Sequence, residues 1–298
     1  MNERLSIGTR GSALAVAQTQ WVIRKLHCVY PDLAVDIKQI ITRGDATQSQ
    51  NIPLSSFEQK GIFATEIENA LLNGEIDCAV HSMKDLAHTL PEGLCIAAVP
   101  ARESAADALI GGALNDLPAG ARVGTGSVRR RALLKSRRPD LNLMEIRGNI
   151  DTRLRKLDDG QYDAICLAAA GLSRLGLSGR IAETLDTKWF VPDPGQGALA
   201  IECRLDDARA RKILSALNDP YTFIATAAER AFLKEVGGGC HVPIGAYGIV
   251  APSPFQGGRK LRLTAMTTKN GGLIIENLEG IADDPEELGI RAARRQTL

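Results

Sequence analysis

The fold of the chain is indicated by residues 63–85, which read FATEIENALLNGEIDCAVHSMKD. Apolar side chains recur in its first part at helical spacing, at Phe63, Ile67, Ala70 and Leu71. Asn73-Gly74 ends that helix, and Ile76–Val80 follows as a short apolar run typical of a buried strand. Polar residues come next, from His81 to Asp85. Since parallel α/β sheets bind ligands at the carboxyl ends of their strands, this stretch is a predicted site.

The same alternation of strand and helix extends over most of the chain and predicts its domains. A strand over Leu5–Thr9 leads to a helix capped by Ser12, and the pattern restarts after residue 100. Ala198–Cys203 is predicted to return to the first sheet, and the last part of the chain changes to antiparallel strands. We therefore predict an α/β protein of three domains: residues 1–100 with 198–217, residues 104–191, and a small α+β domain over 220–298.

The composition is that of an ordinary globular protein, with 44% hydrophobic and 24% charged residues. No apolar run approaches the roughly 20 residues that a membrane helix needs. The first residues lead into a strand pattern without the apolar core of a signal peptide, so a cytoplasmic location is expected. Cysteines and histidines lack the spacing of metal ligands, and no metal site is predicted. Cys78, Cys166 and Cys203 lie in apolar runs and are expected to be buried thiols.

Basic residues concentrate between Arg122 and Lys156, where eleven of them face only three acidic residues. Three basic motifs share one design, because each lies where a predicted strand leads into a helix. These motifs are Thr9-Arg10-Gly11-Ser12, Gly124–Arg130, and Arg147-Gly148-Asn149 with Arg153. Each combines a guanidinium with the free N–H groups of a helix N-terminus, both of which bind carboxylates or phosphates. Three such motifs in one α/β chain indicate a ligand with several negative charges.

Nucleic acid is the main alternative partner for a basic segment, but the sequence disfavours it. Residues 122–156 contain no Phe, Tyr or Trp on which bases could stack. The net charge is only +1, and no DNA-reading motif is present. Neither of the glycine-rich motifs that bind nucleotide phosphates occurs. We therefore expect a small anionic ligand and no partner of nucleic acid or membrane.

Asp85 and Cys240 each allow two interpretations from the sequence alone. Asp85 could face the anion site and bind a cationic group, or it could cap a helix or pair with Lys84. Cys240 follows three glycines, which leave the backbone free to approach another domain, but it could also be a buried inert thiol.

Ordered motifs over nearly the whole chain resemble those of the porphobilinogen deaminase family. In chain order they are Thr9-Arg10-Gly11-Ser12 with Gln18, Thr42-Arg43-Gly44-Asp45, Lys60-Gly61-Ile62-Phe63, Val80–Asp85, Gly124–Arg130, Arg147–Arg153, Ala170–Gly176, Pro194–Ala198, Ile201–Arg204 and Gly238-Gly239-Cys240. Gly126 departs from the pattern, since many members have Ser there. The resemblance implies two doubly wound domains similar to periplasmic binding proteins and a small third domain.

The resemblance also implies the chemistry. It predicts a dipyrromethane cofactor joined by a thioether to Cys240, and a monomeric enzyme that links four porphobilinogen molecules with release of ammonia. The implied catalytic residues are Asp85, Lys84 and Arg10. The implied cofactor-binding residues are Cys240, Ser12, Lys84, Asp85, Ser127, Arg129, Arg130, Arg147 and Arg153. The implied substrate-binding residues are Arg10, Gln18, Phe63, Arg147, Arg153, Arg174 and Gln196.

Two other functions fit parts of the pattern. A non-catalytic binding protein would use the same arginines at helix ends, but it gives no role to Asp85 or Cys240. An enzyme acting on nucleotides or pyrophosphate should show a cluster of metal-binding carboxylates, which the sequence lacks.

Overall fold

In the computed structural model, residues 4–42, 64–237, 242–251, 259–269 and 271–297 are described. They form the following helices and strands: β1 (Arg4–Thr9), α1 (Ala13–Val29), β2 (Ala34–Gln39), α2 (Thr65–Leu72), β3 (Cys78–Ser82), β4 (Leu94–Ala98), β5 (Asp107–Ile110), β6 (Arg122–Gly124), α3 (Val128–Arg137), β7 (Asn142–Met144), α4 (Ile150–Asp158), β8 (Ala164–Ala168), α5 (Ala169–Arg174), β9 (Glu183–Thr184), β10 (Leu199–Arg204), α6 (Ala208–Ser215), α7 (Pro220–Val236), β11 (Gly245–Ala251), β12 (Lys260–Lys269), β13 (Gly272–Ile281) and α8 (Pro285–Thr297).

The chain divides into two compact units, Met1–Arg102 with Ala198–Phe223 and Glu103–Gly197 with Ile224–Leu298. The first unit contains a sheet of strand order β2-β1-β3-β10-β4. β1 runs parallel to β2 and β3, and β10 runs antiparallel to β3 and β4. The predicted return of the chain to the first sheet is confirmed, and the sheet is mainly parallel as predicted.

The carboxyl end of β3 extends further than the apolar pattern indicated. The sequence predicted a strand over Ile76–Val80, whereas β3 continues through His81 and Ser82 because these pair with Ala200 and Leu199 of β10. His81 and Ser82 are therefore held on a regular strand, at the carboxyl end of the central strand β3, and not on a loop.

Helix α1 begins at the predicted residue. The Oγ atom of Ser12 accepts a hydrogen bond from Ala15 N at 3.3 Å, which satisfies one of the free N–H groups of the first turn. Val22 and Leu26 of this helix pack on Leu5 and Ile7 of β1, and all four side chains are fully buried. The helix therefore fixes the polar turn that connects β1 to α1.

The second unit also contains a five-stranded mixed sheet, and its strand order is β7-β6-β8-β5-β9. β6 is parallel to β7 and β8, and β5 is antiparallel to β8 and β9. β11, β12 and β13 form a separate antiparallel sheet that packs on α8. The structure is thus the predicted α/β fold, with two α/β sheets and a small three-stranded one.

The three cysteines expected in the core are there, since Cys78, Cys166 and Cys203 are 0% exposed. Across the described ranges, no helix combines the length and the apolar character that crossing a bilayer requires.

Candidate active site

An open pocket lies in the first unit, at the carboxyl ends of β1 and β3. Its lining consists of Arg10, Ser12, Leu14, Ala15, Gln18, Ala64, Val80, His81, Ser82 and Asp85. The structure therefore brings together four of the predicted site residues, Arg10, Ser12, Gln18 and Asp85. A guanidinium and a carboxylate share one wall with neutral hydrogen-bonding groups, so the pocket can bind a molecule that carries charges of both signs.

Asp85 ends a short 3₁₀ turn, Met83–Asp85, that follows β3 directly. Met83 anchors the turn because its side chain is buried, and its N–H donates to Ala198 O at 3.1 Å. The Asp85 side chain is exposed, and within the described ranges its carboxylate has no hydrogen bond or ion pair. Neither alternative interpretation, a helix cap or an ion pair with Lys84, is observed. Lys84 is half-buried beside it.

Gln18 connects α1 to the end of β3. Its side chain is 3% exposed, and its Nε2 atom donates to Ser82 Oγ at 2.8 Å. This hydrogen bond fixes both side chains in the pocket wall, so the amide oxygen of Gln18 is oriented by a partner on a rigid strand.

In the second unit, two predicted anion-binding arginines share one buried carboxylate. Asp107 of β5 is 0% exposed, and its two oxygens lie 2.8 Å from Arg129 Nη1 and 2.7 Å from Arg130 Nη2. Both arginines also donate to main-chain oxygens, Arg129 to Val191 O and Arg130 to Cys166 O. Burial opposes the charge of Arg130, but the coulombic attraction of Asp107 raises its pKa above the ordinary value. The group carries one net positive charge.

Gln196 joins the same group. Its Nε2 atom donates to Asp107 Oδ1 at 3.0 Å and to Ala105 O at 2.7 Å, and the side chain is fully buried. The turn that carries it is held from α7, because Glu229 Oε2 accepts from Gly195 N at 2.6 Å. Contact of Gln196 with a substrate stays a prediction.

Arg174, at the end of α5, donates from Nη2 to Gly197 O at 2.7 Å. Burial lowers the pKa of Arg174 to about 10, with Glu103 acting in the opposite direction. The guanidinium is therefore still charged at neutral pH. Gly197 itself has φ +86°, a conformation that glycine adopts without strain.

The other predicted residues lie at two helix N-termini. Ser127 caps α3, with its Oγ atom accepting from Arg130 N at 3.4 Å. Near the start of α4, Arg153 Nε donates to Gly148 O at 2.7 Å and Arg147 Nε donates to Glu145 Oε1 at 2.8 Å. Arginines thus lie at or next to the first turn of both helices, and anion binding there stays a prediction.

An acidic group that the sequence pattern did not indicate lies next to the first pocket. Glu68 of α2 and Glu202 of β10 are buried, and His81 Nε2 lies 3.1 Å from Glu202 Oε2. Burial, reinforced by Glu202 and opposed by His81, raises the pKa of Glu68 to about 7. Asp107 was missed as well. A lone acidic residue inside an apolar run is the signal that could have found Glu202 and Asp107.

Two predicted residues, Cys240 and Phe63, lie outside the described residues. Over the part of the chain that is described, His, Cys, Asp and Glu form no group of three or more that could hold a metal ion.

Comparison with known families matches almost the entire chain. Residues 5–212 match the family model described as "Porphobilinogen deaminase, dipyromethane cofactor binding domain", and residues 223–296 match "Porphobilinogen deaminase, C-terminal domain". A curated protein of Roseiflexus sp., named porphobilinogen deaminase, is 46% identical over 98% of this chain and 95% of its own length. One of the same name from Bacillus subtilis is 46% identical over 98% of this chain and 92% of its own.

Similarity to the solved structures is much lower. The methionine-binding protein MetQ has a TM-score of 0.45 and 15% identity, covering 76% of this chain and 94% of its own. A periplasmic binding protein of Salmonella typhimurium with high arginine specificity has a TM-score of 0.40 and 13% identity, covering 74% and 94%. Similarity at this level carries no functional argument.

Proposed function

The chain belongs to the porphobilinogen deaminase family of enzymes, and from this premise we propose that it joins four porphobilinogen molecules head to tail into hydroxymethylbilane. One ammonia is released for each molecule added, in a transferase reaction of tetrapyrrole biosynthesis. The observation that carries the proposal is the pocket in which Arg10 and Asp85 lie together. Porphobilinogen has two carboxylates and one aminomethyl cation, so it needs both kinds of partner.

The family's cofactor is dipyrromethane, two linked pyrroles with four carboxylates, and the residues present fit such a polyanion. The Nε atom of Arg129 is buried and has no hydrogen-bond partner in the described ranges, so it can donate to an acceptor that binds there. In the proposal the cofactor is attached at Cys240 and held by Ser12, Lys84, Asp85, Ser127, Arg129, Arg130, Arg147 and Arg153. When bound, it supplies the chain end to which new pyrroles are added.

In this proposal Asp85 is the acid–base residue, and Lys84 and Arg10 are the other catalytic residues. Its carboxylate can hold the proton that the departing amine takes, and it can stabilise the positive charge that remains on the substrate after ammonia has left. An exposed carboxylate without a partner on its own turn is available for both roles. Arg10, by contrast, is suited to orient a substrate carboxylate through paired hydrogen bonds.

Substrate side chains are bound, in the same proposal, by Arg10, Gln18, Phe63, Arg147, Arg153, Arg174 and Gln196. Several guanidiniums are needed because each added pyrrole brings two more carboxylates. A pocket for a single anion would not bind the longer intermediates.

We also propose that the enzyme works as a monomer in the cytoplasm, without a nucleic acid or membrane partner. The described cysteines, Cys28, Cys78, Cys95, Cys166 and Cys203, are not joined in disulfides, which supports a reducing compartment. The net charge of +1 supports a small-molecule ligand over a nucleic acid. Size-exclusion chromatography with light scattering measures the oligomeric state directly.

Intact mass spectrometry of the purified protein and of Cys240→Ser tests the proposed function. We expect a mass excess equal to two linked pyrroles in the wild type and none in the variant. Porphobilinogen added to the wild type should then produce further increments of one pyrrole each. A wild-type protein that has no excess and gains none with porphobilinogen would overturn the proposal.

A further inference from the structure

Three buried ionisable side chains from three different elements interact electrostatically next to the first pocket. Glu68 comes from α2, His81 from β3 and Glu202 from β10, and their exposed fractions are 8%, 7% and 0%. His81 Nε2 lies 3.1 Å from Glu202 Oε2, at the distance of an ion pair. We refer to Glu68, His81 and Glu202 as the buried acid group.

The buried acid group lacks the hydrogen bonds that a purely structural ion pair needs. In the described ranges, neither oxygen of Glu202 nor Oε1 of Glu68 has a hydrogen-bond partner, and His81 Nε2 has none with acceptable geometry. A buried carboxylate without such bonds reduces the stability of the fold. Because buried polar atoms in native proteins are rarely left unsatisfied, this arrangement indicates a function.

The charges of the group are balanced only when it holds two protons. Counted formally, two carboxyls and one imidazole sum to zero charge when two titratable protons are bound among them. Loss of one proton leaves a net negative charge in a buried place. Burial and the nearby Glu202 carboxylate raise the pKa of Glu68 to about 7, so this loss falls in the neutral range.

His81 connects the buried acid group to the pocket, since its ring lies in the wall that Arg10 and Asp85 also line. The residues that α1 contributes to this wall, among them Leu14, Ala15 and Gln18, are not ionisable. Among the described residues, the ionisable groups around His81 include Glu68 and Glu202, with Arg10 and Asp85 in the pocket wall.

We propose, on the basis of the proposed function, that Glu68, His81 and Glu202 are positioning residues that keep the pocket wall without net charge below neutral pH and give it a negative charge as the pH rises through the neutral range. This negative charge would repel the carboxylates of porphobilinogen. Binding therefore weakens as the pH rises, while the chemical step at Asp85 is affected less. A charge at a distance of several ångströms in a partly buried site changes binding by about tenfold.

Steady-state kinetics of the holoenzyme between pH 6 and pH 8.5 test this inference through the separate values of KM and kcat. We expect the KM of the wild type to rise about tenfold over this range, and the KM of Glu68→Gln to stay constant. Glu75→Gln is the matched control, because Glu75 is exposed and pairs with Lys38 at 2.9 Å. The control should follow the wild type. A KM of Glu68→Gln that follows the wild type overturns the inference.

Carbon-13 NMR of the His81 ring provides a readout that does not depend on turnover. The chain has four histidines, and His81→Gln identifies the resonance of interest. In the wild type we expect the His81 ring to report a transition near the pKa of Glu68, about 7. The transition should be absent in Glu68→Gln and move to lower pH in Glu202→Gln, where a neighbouring negative charge is removed.

The two measurements separate this inference from the proposed function. A protein that lacks the covalent cofactor but shows the His81 transition would contradict the proposed function and leave the buried acid group supported. A protein that turns over porphobilinogen but shows no His81 transition near neutral pH would contradict the inference alone.

Discussion

Arg130 and Asp107 form a buried ion pair in which two nitrogens of the guanidinium, Nη2 and Nε, lie 2.7 Å and 2.9 Å from one carboxylate oxygen. The other oxygen of Asp107 lies 2.8 Å from Arg129 Nη1. One carboxylate on β5 therefore forms ion pairs with both of the arginines that the sequence motif assigns to anion binding. Asp107 keeps the two guanidiniums in fixed positions.

Replacement of Asp107 by Asn should destabilise the second unit strongly, because two buried guanidiniums would lose their counter-charge. Removal of one partner from a buried pair costs about 3–5 kcal/mol. Urea unfolding followed by circular dichroism measures this loss. Asp158→Asn is the matched control, since it breaks the exposed pair with Arg180 and should leave the unfolding midpoint nearly unchanged. Equal midpoints for the two variants would show that Asp107 has no such role.

Replacement of Asp85 by Asn should abolish most of the turnover without affecting the fold. The amide has the same shape but cannot give a proton to the departing amine. Loss of general acid–base catalysis lowers kcat by about 10²–10⁴-fold. Ammonia release measures turnover, and intact mass spectrometry checks that the cofactor is still attached. Asp32→Asn, at an exposed position of the same unit, is the control. Turnover that is unchanged in Asp85→Asn would contradict a catalytic role for Asp85.

The contribution of Glu68 to stability should fall as the pH rises from about 4.5 to about 7, because Glu68 ionises in the unfolded state first. The pKa of Glu68 is raised from 4.5 to about 7 in the folded protein, so in this window the folded state holds a proton that the unfolded state has lost. The slope of unfolding free energy against pH is then negative. Glu68→Gln removes this contribution, which amounts to about 1–3 kcal/mol.

Thermal unfolding of the wild type and Glu68→Gln at pH 5 and pH 7.5 measures this effect. The variant should gain stability relative to the wild type at the higher pH. A difference that is the same at both pH values would mean that Glu68 is ionised throughout.

Replacement of Gly197 by Ala should destabilise the turn that carries Gln196. Gly197 has φ +86°, and a Cβ atom there would lie 2.5 Å from Glu103 O and 2.7 Å from Ser104 O. Strain of this kind costs about 1–3 kcal/mol, and main-chain atoms cannot move aside as a side chain can. Gly179→Ala is the control, because its Cβ would meet no atom within 4 Å. Urea unfolding of both variants distinguishes the two positions.

The parts of the fold that could be predicted are those in which local pattern and tertiary structure agree. Ser12 and Ser127 begin helices as their sequence positions indicate, because a hydroxyl cap is a local interaction. Strand β10 was recognisable as an apolar run. By contrast, β5 was missed, because Asp107 occupies its first position and a charged residue there conceals the strand.

The candidate site was predictable as a set of residue types but not as a set of contacts. The motif Gly124–Arg130 indicated anion binding, yet the nearest anion to Arg129 and Arg130 is Asp107, more than twenty residues away along the chain. Sequence spacing does not reveal such a pairing, because it depends on which strand lies beside which. The same holds for His81 and Glu202, which meet only because β3 and β10 are neighbours.

Strand β10 has a consequence for the synthesis of the protein. It lies between β3 and β4 in the first sheet, although one hundred residues separate β4 from β10 along the chain. On the ribosome, β4 therefore has no neighbouring strand until residue 204 has left the exit tunnel. At about 5–20 residues per second, this delay lasts at least several seconds. The second sheet, whose strands all lie between residues 107 and 184, can pair during that time, so the sheet that begins the nascent polypeptide is the later one to be completed.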